Sequence, residues 1–401
     1  MKIFSLDIPD AAKELYEKRL NRIKKRGLFF EVEEKLKTFQ DNNYSHFGRV
    51  LYIRKFKNYA IAIFLVRGNK DTLILKGSVK ENFLENVRRN DYIYAVGKKG
   101  KDGDILLLLF KVVSISLNLQ SKRKDFLHQR LLKKPENFSI LKQYSQIYRE
   151  IHAVLNNAGF IEIKSKMLQD SFYGGDSRPF KTYSNNSHKY KYLKFSSEPT
   201  LKEALVGGIE KAYEFGVVFR NEPDSPIRGE EIRALEFCSA NESFVGFRKT
   251  LFQLIKQTLK VEEIARENYN EICNIDNSLL SYKNFKSEIV PKIVKPTFLY
   301  NLPSGTSPFI AVLDDEESIA KRELLIIEGM TIAEIYQNEK NPFEQIDFLE
   351  KQFSNKRDYK IDYTSYIHSQ LLGGPIINVC FVSIDRLLSL VTNQKDLRNM
   401  L

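Results

Sequence analysis

The sequence contains no tryptophan, only three cysteines and five histidines, and no apolar run approaching the ~20 residues that a membrane-spanning helix needs. The cysteines (Cys238, Cys273 and Cys380) are odd in number and far apart, which argues against a disulfide framework or a zinc knuckle and favours a reducing compartment. The scattered histidines form no metal-ligand or Ser/His/Asp pattern. Met1-Lys2-Ile3 leads directly into polar sequence, without a secretory signal. These absences predict a cytoplasmic protein with no membrane partner.

What the sequence has in excess is positive charge. It carries 63 lysines and arginines against 51 aspartates and glutamates, a formal net charge of +12 at pH 7. A charge of this sign predicts a polyanionic partner, and nucleic acid is favoured because no bilayer-spanning segment is present. The length of 401 residues is enough for two or three domains, each with its own core.

The first third of the sequence predicts a helical arm followed by a β-barrel. The arm covers residues 1–45 and contains a helix that Asp10 caps and Gly27 ends. Three short strands, a helix and two further strands follow within residues 46–119. This is the element order of an OB-fold, a five-stranded barrel whose face binds oligonucleotides. A connector rich in lysine and arginine, residues 120–138, leads to the remainder of the chain.

A charged hairpin dominates the second half of the sequence. Val217, Val218 and Phe219 favour a strand that ends at Arg220, and residues 232–237 favour the returning strand. The intervening residues contain two prolines and a glycine, which are typical of a loop. A guanidinium at the lip of such a hairpin can bind phosphate bidentately, because its planar fork matches the phosphate oxygens.

This hairpin resembles motif 2 of the class II aminoacyl-tRNA synthetases, and its amino-acid sequence is most similar to that of the lysyl branch. Further blocks stand in the order and at about the spacing of the lysyl enzymes. They are Gly174-Gly175 with Arg178-Pro179-Phe180, Glu198, the run Val206-Gly207-Gly208-Ile209-Glu210-Lys211, and Ile384-Asp385-Arg386-Leu387, which resembles motif 3. A helix over residues 139–156 and a strand after Gly159 resemble motif 1. The resemblance implies an α+β protein: the OB-fold barrel plus a catalytic domain, residues 139–401, with an antiparallel sheet flanked by helices.

The resemblance also implies an activity. An ATP-dependent aminoacyl-tRNA ligase of the lysyl type would activate an amino acid as an aminoacyl adenylate and transfer it to tRNA. Arg220 would hold the α-phosphate and the substrate carboxylate, and Arg386 would stack on adenine, which makes these two the catalytic residues. The ATP site as a whole would comprise Arg220, Glu222, Arg228, Ile232, Asp385 and Arg386.

Other expected sites follow from the same resemblance. Glu198, Glu236 and Asn338 would line the amino-acid pocket. Magnesium would be held by local carboxylates, for which Glu323, Glu328 and Glu334 are the candidates. On the barrel, Arg49 and Arg54 match the opening of the anticodon-binding pattern and would contact RNA. The helix and strand that resemble motif 1 would make the interface of a homodimer.

Several positions depart from the family pattern. The three alternating glycines before the motif 3 arginine are replaced by Val379, Phe381 and Ser383, whose side chains would occupy space beside the nucleotide. The aromatic residue that sandwiches adenine falls on Ile232, and the glutamate that binds a substrate ammonium falls on Asn338. A stacking aromatic of the barrel falls on Ile61, and the motif 1 proline falls on Lys166.

These departures leave two alternatives to a lysine ligase. One is a catalytically degenerate paralogue that keeps the scaffold as an RNA-binding or regulatory module. The other is a ligase that uses the same adenylate chemistry on a different amino acid or acceptor.

Overall fold

The computed structural model describes residues 10–29, 44–116, 127–134, 137–173, 178–221, 229–273, 284–353 and 361–394. The chain divides into two compact units, Met1–Ser139 and Ile140–Leu401. Glu222 and Arg228 of the expected ATP site, the Gly174-Gly175 pair and part of the basic connector lie outside the described residues. No helix among the described residues is both long and apolar enough to cross a membrane.

The first unit contains the predicted barrel. Its helices are α1 (Asp10–Lys25), α2 (Gly77–Asn86) and α3 (Leu127–Lys133). Its strands are β1 (Tyr44–Lys55), β2 (Tyr59–Val66), β3 (Asn69–Lys76), β4 (Tyr92–Lys99) and β5 (Ile105–Ser114). They close in the order β1-β2-β3-β5-β4, which confirms the five-stranded barrel.

Alternation of side chains along β2 explains how the barrel is filled. Ala60, Ala62, Phe64 and Val66 are buried inside, and the residues between them face outward. The wall closes tightly at Gly48, where an added Cβ would lie 2.7 Å from the Phe64 ring. A residue with any side chain would therefore force the closure open.

The second unit is built on a large sheet. Its helices are α4 (Asn137–Asn157), α5 (Glu198–Val206), α6 (Phe244–Leu259), α7 (Tyr269–Cys273), α8 (Pro342–Phe353), α9 (Thr364–Leu371) and α10 (Ile384–Thr392). Its strands are β6 (Ile161–Glu162), β7 (Leu168–Gln169), β8 (Lys181–Ser184), β9 (Lys189–Leu193), β10 (Lys211–Phe219), β11 (Glu231–Ala240), β12 (Ala265–Asn268), β13 (Thr297–Tyr300), β14 (Arg322–Ile327), β15 (Met330–Gln337) and β16 (Ile377–Ser383).

Eight of these strands form one sheet in the order β12-β13-β14-β15-β16-β11-β10-β6. The strands from β13 to β10 pair antiparallel, and β6 and β12 join the two edges in parallel. The sheet and its flanking helices confirm the predicted α+β class. The expected hairpin is the pair β10–β11, near the edge that β6 forms.

The two faces of the sheet have different roles. On one face, Phe237, Ile335 and Cys380 pack into a large apolar core with residues of helices α4, α6 and α10, such as Ile151 and Leu251. Burial of this face against three helices supplies most of the unit's hydrophobic stabilisation. The opposite face carries the polar side chains described below, and we call it the site face.

One prediction from the sequence was wrong in this unit. The apolar residues at helical spacing after Phe244 predict one amphipathic helix to Tyr269, but α6 ends at Leu259, because Lys260 adopts a left-handed φ of 58° that no helix continues through. The residues after it form β12, an edge strand paired with β13. The small sheet β7-β9-β8 was not predicted either, since its strands are too short for a clear period.

Candidate active site

Cross-strand pairing places several charged residues on the site face. Glu236 on β11 lies directly opposite Glu214 on one side and Phe381 on the other. Phe381 in turn lies opposite Glu334 on β15. Because directly paired residues share a face, these four side chains form a row across the middle of the sheet. The site is arranged around this row.

Arg220 follows the end of β10, where the hairpin begins to turn. Its backbone N–H donates to the carbonyl of Glu230 across the hairpin, at 2.9 Å. The carbon of its guanidinium lies 4.7 Å from the ring centroid of Phe195 and 5.6 Å from that of Phe381. Both rings present their π faces to the positive charge, and this attraction helps to hold the guanidinium at the lip of the hairpin.

Glu236 is buried at the base of the site. Its carboxylate accepts a hydrogen bond from the Ser196 hydroxyl at 2.9 Å and another from the backbone N–H of Ser197. Burial is the largest cause that raises the pKa of Glu236 to about 7, and the neighbouring charge of Glu198 is the second. The two hydrogen bonds and the charge of Arg220 act in the opposite direction and lower this pKa. Glu236 therefore changes its protonation state close to neutral pH.

Glu198 begins helix α5 beside Glu236, and its side chain is only 22% exposed. Its Oε1 atom accepts hydrogen bonds from the Tyr336 hydroxyl and, at 2.5 Å, from the Nζ atom of Lys202 one helical turn later. Lys202 also donates to Oδ1 of Asn338 at 2.6 Å. Lys202 thus joins Glu198 to Asn338, and Glu198 also meets Glu236 through Ser196, whose hydroxyl accepts from the Glu198 backbone N–H at 3.1 Å. Each of their roles stays a prediction.

The residues of the motif 3 block occupy the start of helix α10. Asp385 is buried and accepts hydrogen bonds from the backbone N–H and the guanidinium of Arg233, both at 2.8 Å. Arg386 donates to the carbonyl of Thr331 at 2.7 Å. Ile232 lies opposite Val218 on the site face of the hairpin. Asp385 is therefore tied to the hairpin strand and Arg386 to β15, and their ATP contacts stay predictions.

The three carboxylates proposed for magnesium are not brought together. Glu323 pairs with Ile335, on the core face, where Oε1 accepts hydrogen bonds from Arg248 at 2.6 Å and from Arg266 at 3.0 Å. Glu334 lies on the site face, with Oε1 2.8 Å from Nε of Arg322. Glu328 is in the β14–β15 turn, with a φ of 47°. The described part of the chain contains no group of three or more His, Cys, Asp or Glu side chains that could hold a metal ion.

The three residues of β16 that replace the family glycines lie on the site face. Val379, Phe381 and Ser383 pair with Cys238, Glu236 and Ala234 of β11, respectively. Val379 and Ser383 are buried, and Phe381 is half-buried beneath Arg220. These three side chains therefore occupy volume on the floor of the site, as the sequence predicted. The Phe381 ring also contacts the guanidinium of Arg220, which is expected to bind phosphate.

The arginines proposed for RNA binding lie on β1 of the barrel. Arg49 is half-buried and donates to the carbonyl of Asn90 at 2.6 Å. Arg54 is exposed, and its guanidinium carbon lies 5.0 Å from the Phe56 ring centroid. Ile61 is directly opposite Arg54 on β2. Arg54 is therefore the better placed of the two arginines to contact a ligand, and both RNA roles stay predictions.

Two buried lysines were missed by the sequence analysis. Lys202 is fully buried within the site, and Lys194 is fully buried with its Nζ atom 2.6 Å from Oε1 of Glu214. Glu214 also accepts hydrogen bonds from the backbone N–H and the hydroxyl of Ser165. A signal for Lys202 was present, because Glu198 and Lys202 stand four residues apart on a helix and such pairs face each other. No comparable signal exists for Lys194 and Glu214, whose contact depends on the tertiary fold.

The amino-acid sequence is similar to those of known proteins. The model of a family described as tRNA synthetases class II (D, K and N) matches residues 121–401. A lysine--tRNA ligase of Mycoplasmopsis fermentans is 25% identical over a match that covers 68% of this chain and 65% of that protein. One of Prochlorococcus marinus is 25% identical over a match that covers 80% of this chain and 76% of that protein. One of Mycoplasmopsis synoviae is 24% identical over a match that covers 97% of this chain and 92% of that protein.

The match to the Mycoplasmopsis fermentans protein spans less than two thirds of that protein's length, whereas the match to the Mycoplasmopsis synoviae protein spans nearly all of it. The family model covers more than half of this chain and includes the entire sheet with its site face. The chain therefore belongs to the class II tRNA synthetases of the D, K and N group, and within that group it is lysyl-tRNA synthetase-like.

Proposed function

We propose that this protein is an ATP-dependent aminoacyl-tRNA ligase, which activates an amino acid as an aminoacyl adenylate and transfers it to tRNA. Family membership supports the proposal, and so does one observation in the site. Glu236 and Glu198 meet at Ser196, whose hydroxyl donates to the Glu236 carboxylate at 2.9 Å and accepts from the backbone N–H of Glu198 at 3.1 Å. Phe381, the cross-strand partner of Glu236, contacts the guanidinium of Arg220. Negative and positive groups so placed suit a zwitterion, whose α-ammonium would pair with Glu236 and whose α-carboxylate would pair with Arg220.

The chemistry needs positioning more than a protein nucleophile. An oxygen of the substrate carboxylate attacks the α-phosphorus of ATP, the bond from that phosphorus to the bridging oxygen breaks, and pyrophosphate leaves. Arg220, whose guanidinium contacts the rings of Phe195 and Phe381, would stabilise the negative charge that develops on the α-phosphate oxygens. Asp385 would act indirectly, since it holds the backbone of the hairpin strand at Arg233.

Magnesium is expected for the family, but the described carboxylates do not fit the role. Glu323 lies on the wrong face of the sheet, and Glu334 is paired with Arg322. The strand position that does face the site is Leu324, which has no ligating atom. We therefore assign no step to a metal ion held by these side chains.

The partners follow from the same proposal. tRNA would be bound in part by the barrel, through Arg54 and the neighbouring ring of Phe56. The homodimer would use helix α4 and strand β6, the motif 1 unit at one edge of the sheet. Light scattering of the purified protein measures the assembly state directly, and a mass of one chain would contradict the dimer.

Pyrophosphate exchange tests the proposed function. The purified protein is incubated with ATP, labelled pyrophosphate, magnesium and each of the twenty amino acids in turn, and incorporation of label into ATP is measured. The relatives are called lysine--tRNA ligases, which makes lysine the reference substrate of the panel. Exchange that depends on any one amino acid supports the ligase, whereas the absence of exchange with all twenty contradicts it.

Amino-acid binding is expected to depend on pH through Glu236. An α-ammonium beside this carboxyl favours its charged form, so binding displaces the proton that the pKa of about 7 retains in the free site. Below pH 7 the apparent affinity should weaken by about tenfold per pH unit, because one proton is released for each molecule bound. Calorimetric titrations in two buffers of different ionisation enthalpy measure that proton. Glu236→Gln is the control, and a wild-type affinity independent of pH between 5.5 and 8 would contradict the assignment.

The same carboxyl affects stability with a defined sign. The pKa of Glu236 is about 7 in the folded chain, above its ordinary value of 4.5. The folded state therefore binds the proton more tightly, and the contribution of Glu236 to the free energy of unfolding is lost as the pH rises through 7. It is fully present below about pH 4.5, where both states are protonated.

A non-catalytic RNA-binding role is the second candidate, favoured by the filled row at Val379, Phe381 and Ser383. A thermal unfolding experiment with ATP separates it from the ligase. A competent nucleotide site should stabilise the protein by about 2.7 kcal/mol at an ATP concentration of 100 times Kd. We expect this shift in the wild type. If only Phe381→Gly shows it, the phenylalanine blocks the nucleotide and the second candidate is supported.

A further inference from the structure

A cavity of about 260 Å³ opens where β14 begins, beside the first residue of helix α6. Phe244, Leu313 and Ala320 give it apolar walls, and its polar lining comes mostly from the strands β12 to β15. Its volume lies just below the range of about 300–1,000 Å³ that is typical of small-molecule sites. The described lining includes none of the residues expected to bind ATP or the amino acid. The cavity is therefore a separate place in this unit where a small ligand can fit.

The carboxylate of Glu323 is the buried polar group of this cavity, and its side chain is only 3% exposed. Its Oε1 atom accepts hydrogen bonds from Arg248 and Arg266, whereas its Oε2 atom has no hydrogen-bond partner among the described residues. A buried charged acceptor without a donor is costly, so Oε2 favours a ligand that brings an N–H or O–H group. The two neighbouring guanidinium charges disfavour a metal ion in that place.

The opposite need exists at Arg266, which has hydrogen-bond donors to spare. Its Nε and Nη2 atoms donate to Oε1 of Glu323, and its guanidinium carbon lies 3.8 Å from the ring centroid of Tyr300. Its Nη1 atom, which carries two N–H groups, has no acceptor in the described part of the chain. The side chain is 46% exposed, so a ligand in the cavity can reach this nitrogen.

The charges around the cavity favour an anion. The ion pairs there join four cationic side chains to three carboxylates: Arg248 and Arg266 with Glu323, Lys321 with Asp314, and Arg322 with Glu334. One positive charge is therefore left over. Lys321 is also easily recruited, because its partner Asp314 is 88% exposed and such a surface pair contributes little to stability.

We propose that this cavity is a binding site for a small organic anion, a carboxylate or phosphate that also carries a hydroxyl or ammonium group. The anionic group accepts hydrogen bonds from Nη1 of Arg266 and pairs with Lys321. The hydroxyl or ammonium group donates to Oε2 of Glu323. Both unmet hydrogen-bonding needs are then satisfied by one molecule, and its negative charge offsets the surplus positive charge.

Calorimetry on the full chain, without ATP, tests the two parts of the ligand with matched probes. L-malate is compared with succinate, which lacks the hydroxyl, and O-phosphoethanolamine with ethyl phosphate, which lacks the ammonium. At least one of the two donor-bearing probes should bind with a Kd below about 1 mM, and at least about tenfold more tightly than its match, as expected for a hydrogen bond to a charged group. Equal affinities within both pairs, or no binding of any probe, would overturn the inference.

An isosteric substitution places the binding in this cavity. Asn301 lines it with a left-handed φ of 59°, which aspartate also tolerates. Asn301→Asp adds a negative charge and should weaken binding of the anion at least about tenfold. Asn241→Asp makes the same change at a φ of 55° at the end of β11 and should keep the wild-type affinity. Equal affinity in these two variants would refute the site.

Gln337→Glu makes the same test from β15 if the Asn301→Asp protein does not fold. The result does not depend on the ligase activity, because the probes are neither amino acids nor nucleotides and binding is measured directly. A protein without pyrophosphate exchange can still bind the anion, and an active ligase can fail to bind it.

Discussion

Replacing Arg220 by methionine is expected to lower the rate of pyrophosphate exchange about a thousandfold, the size of effect seen when one preorganised donor to a developing negative charge is removed. The guanidinium of Arg220 lies at the lip of the hairpin over the rings of Phe195 and Phe381, and its charge lowers the pKa of Glu236. Methionine retains apolar contact with both rings but cannot donate a hydrogen bond. The initial rate of exchange at saturating ATP measures the effect.

A matched control removes an arginine elsewhere. Arg89 is exposed in the first unit, and Arg89→Met should leave the exchange rate within about twofold of the wild type, as surface substitutions usually do. Arg220→Lys is a second comparison, because a lysine keeps the charge and loses the planar fork. If Arg220→Met exchanges at the wild-type rate while folded, Arg220 does not bind the reacting phosphate.

Replacing Lys194 by methionine is expected to destabilise the second unit by about 3–5 kcal/mol, because it leaves the buried carboxylate of Glu214 without its ion partner. Both side chains are almost completely buried, at 0% and 3% exposure. Burial would raise the pKa of Glu214, but hydrogen bonds from Lys194 and Ser165 outweigh it and keep the pKa below its ordinary value. Removing the lysine therefore leaves Glu214 either charged and unpaired or protonated at a cost.

Denaturation by urea, followed by circular dichroism, measures this loss. The transition of the unit Ile140–Leu401 should move to lower urea, whereas that of the unit Met1–Ser139 should not, which provides an internal control. The double variant Lys194→Met with Glu214→Gln should recover most of the stability, because the uncompensated charge is gone. Equal losses in the single and double variants would show that the packing of Lys194, and not its charge, is what matters.

Local patterns were enough to predict much of the fold. Alternation along β2 and the order of strands around α2 indicated the barrel, since a strand with one buried face repeats every two residues. The hairpin β10–β11 was predicted by apolar runs on each side of a loop with prolines and glycine. Both are short-range signals, so neither depended on distant contacts.

The site was predictable only in part. Glu198 and Asn338 both contact Lys202, and Glu198 and Glu236 both contact Ser196, so the three residues proposed for the amino-acid pocket are neighbours, and their roles stay predictions. The failure at Glu323 has a simple physical cause, since neighbouring residues of a strand point to opposite faces. The site face carries Leu324, and Glu323 pairs with two arginines on the core face. Periodicity alone does not say which of two adjacent residues faces the site.

Lys202 shows a different limit of sequence reasoning. Its pairing with Glu198 along a helix is local, but the rings of Phe309, Tyr336 and Tyr366 come from three other segments. Only the tertiary fold brings these rings around the ion pair and buries it.

The position of β16 in the sheet has a consequence for synthesis of the chain. This strand is made last of the eight, yet it lies between β15 and β11 and is the link between them. Until Ile377–Ser383 has left the ribosome, the nascent chain can form only two half-sheets, each with an open edge that invites pairing with other chains. Completion of the sheet therefore waits for the last of its strands, and truncation before β16 should yield aggregation-prone fragments.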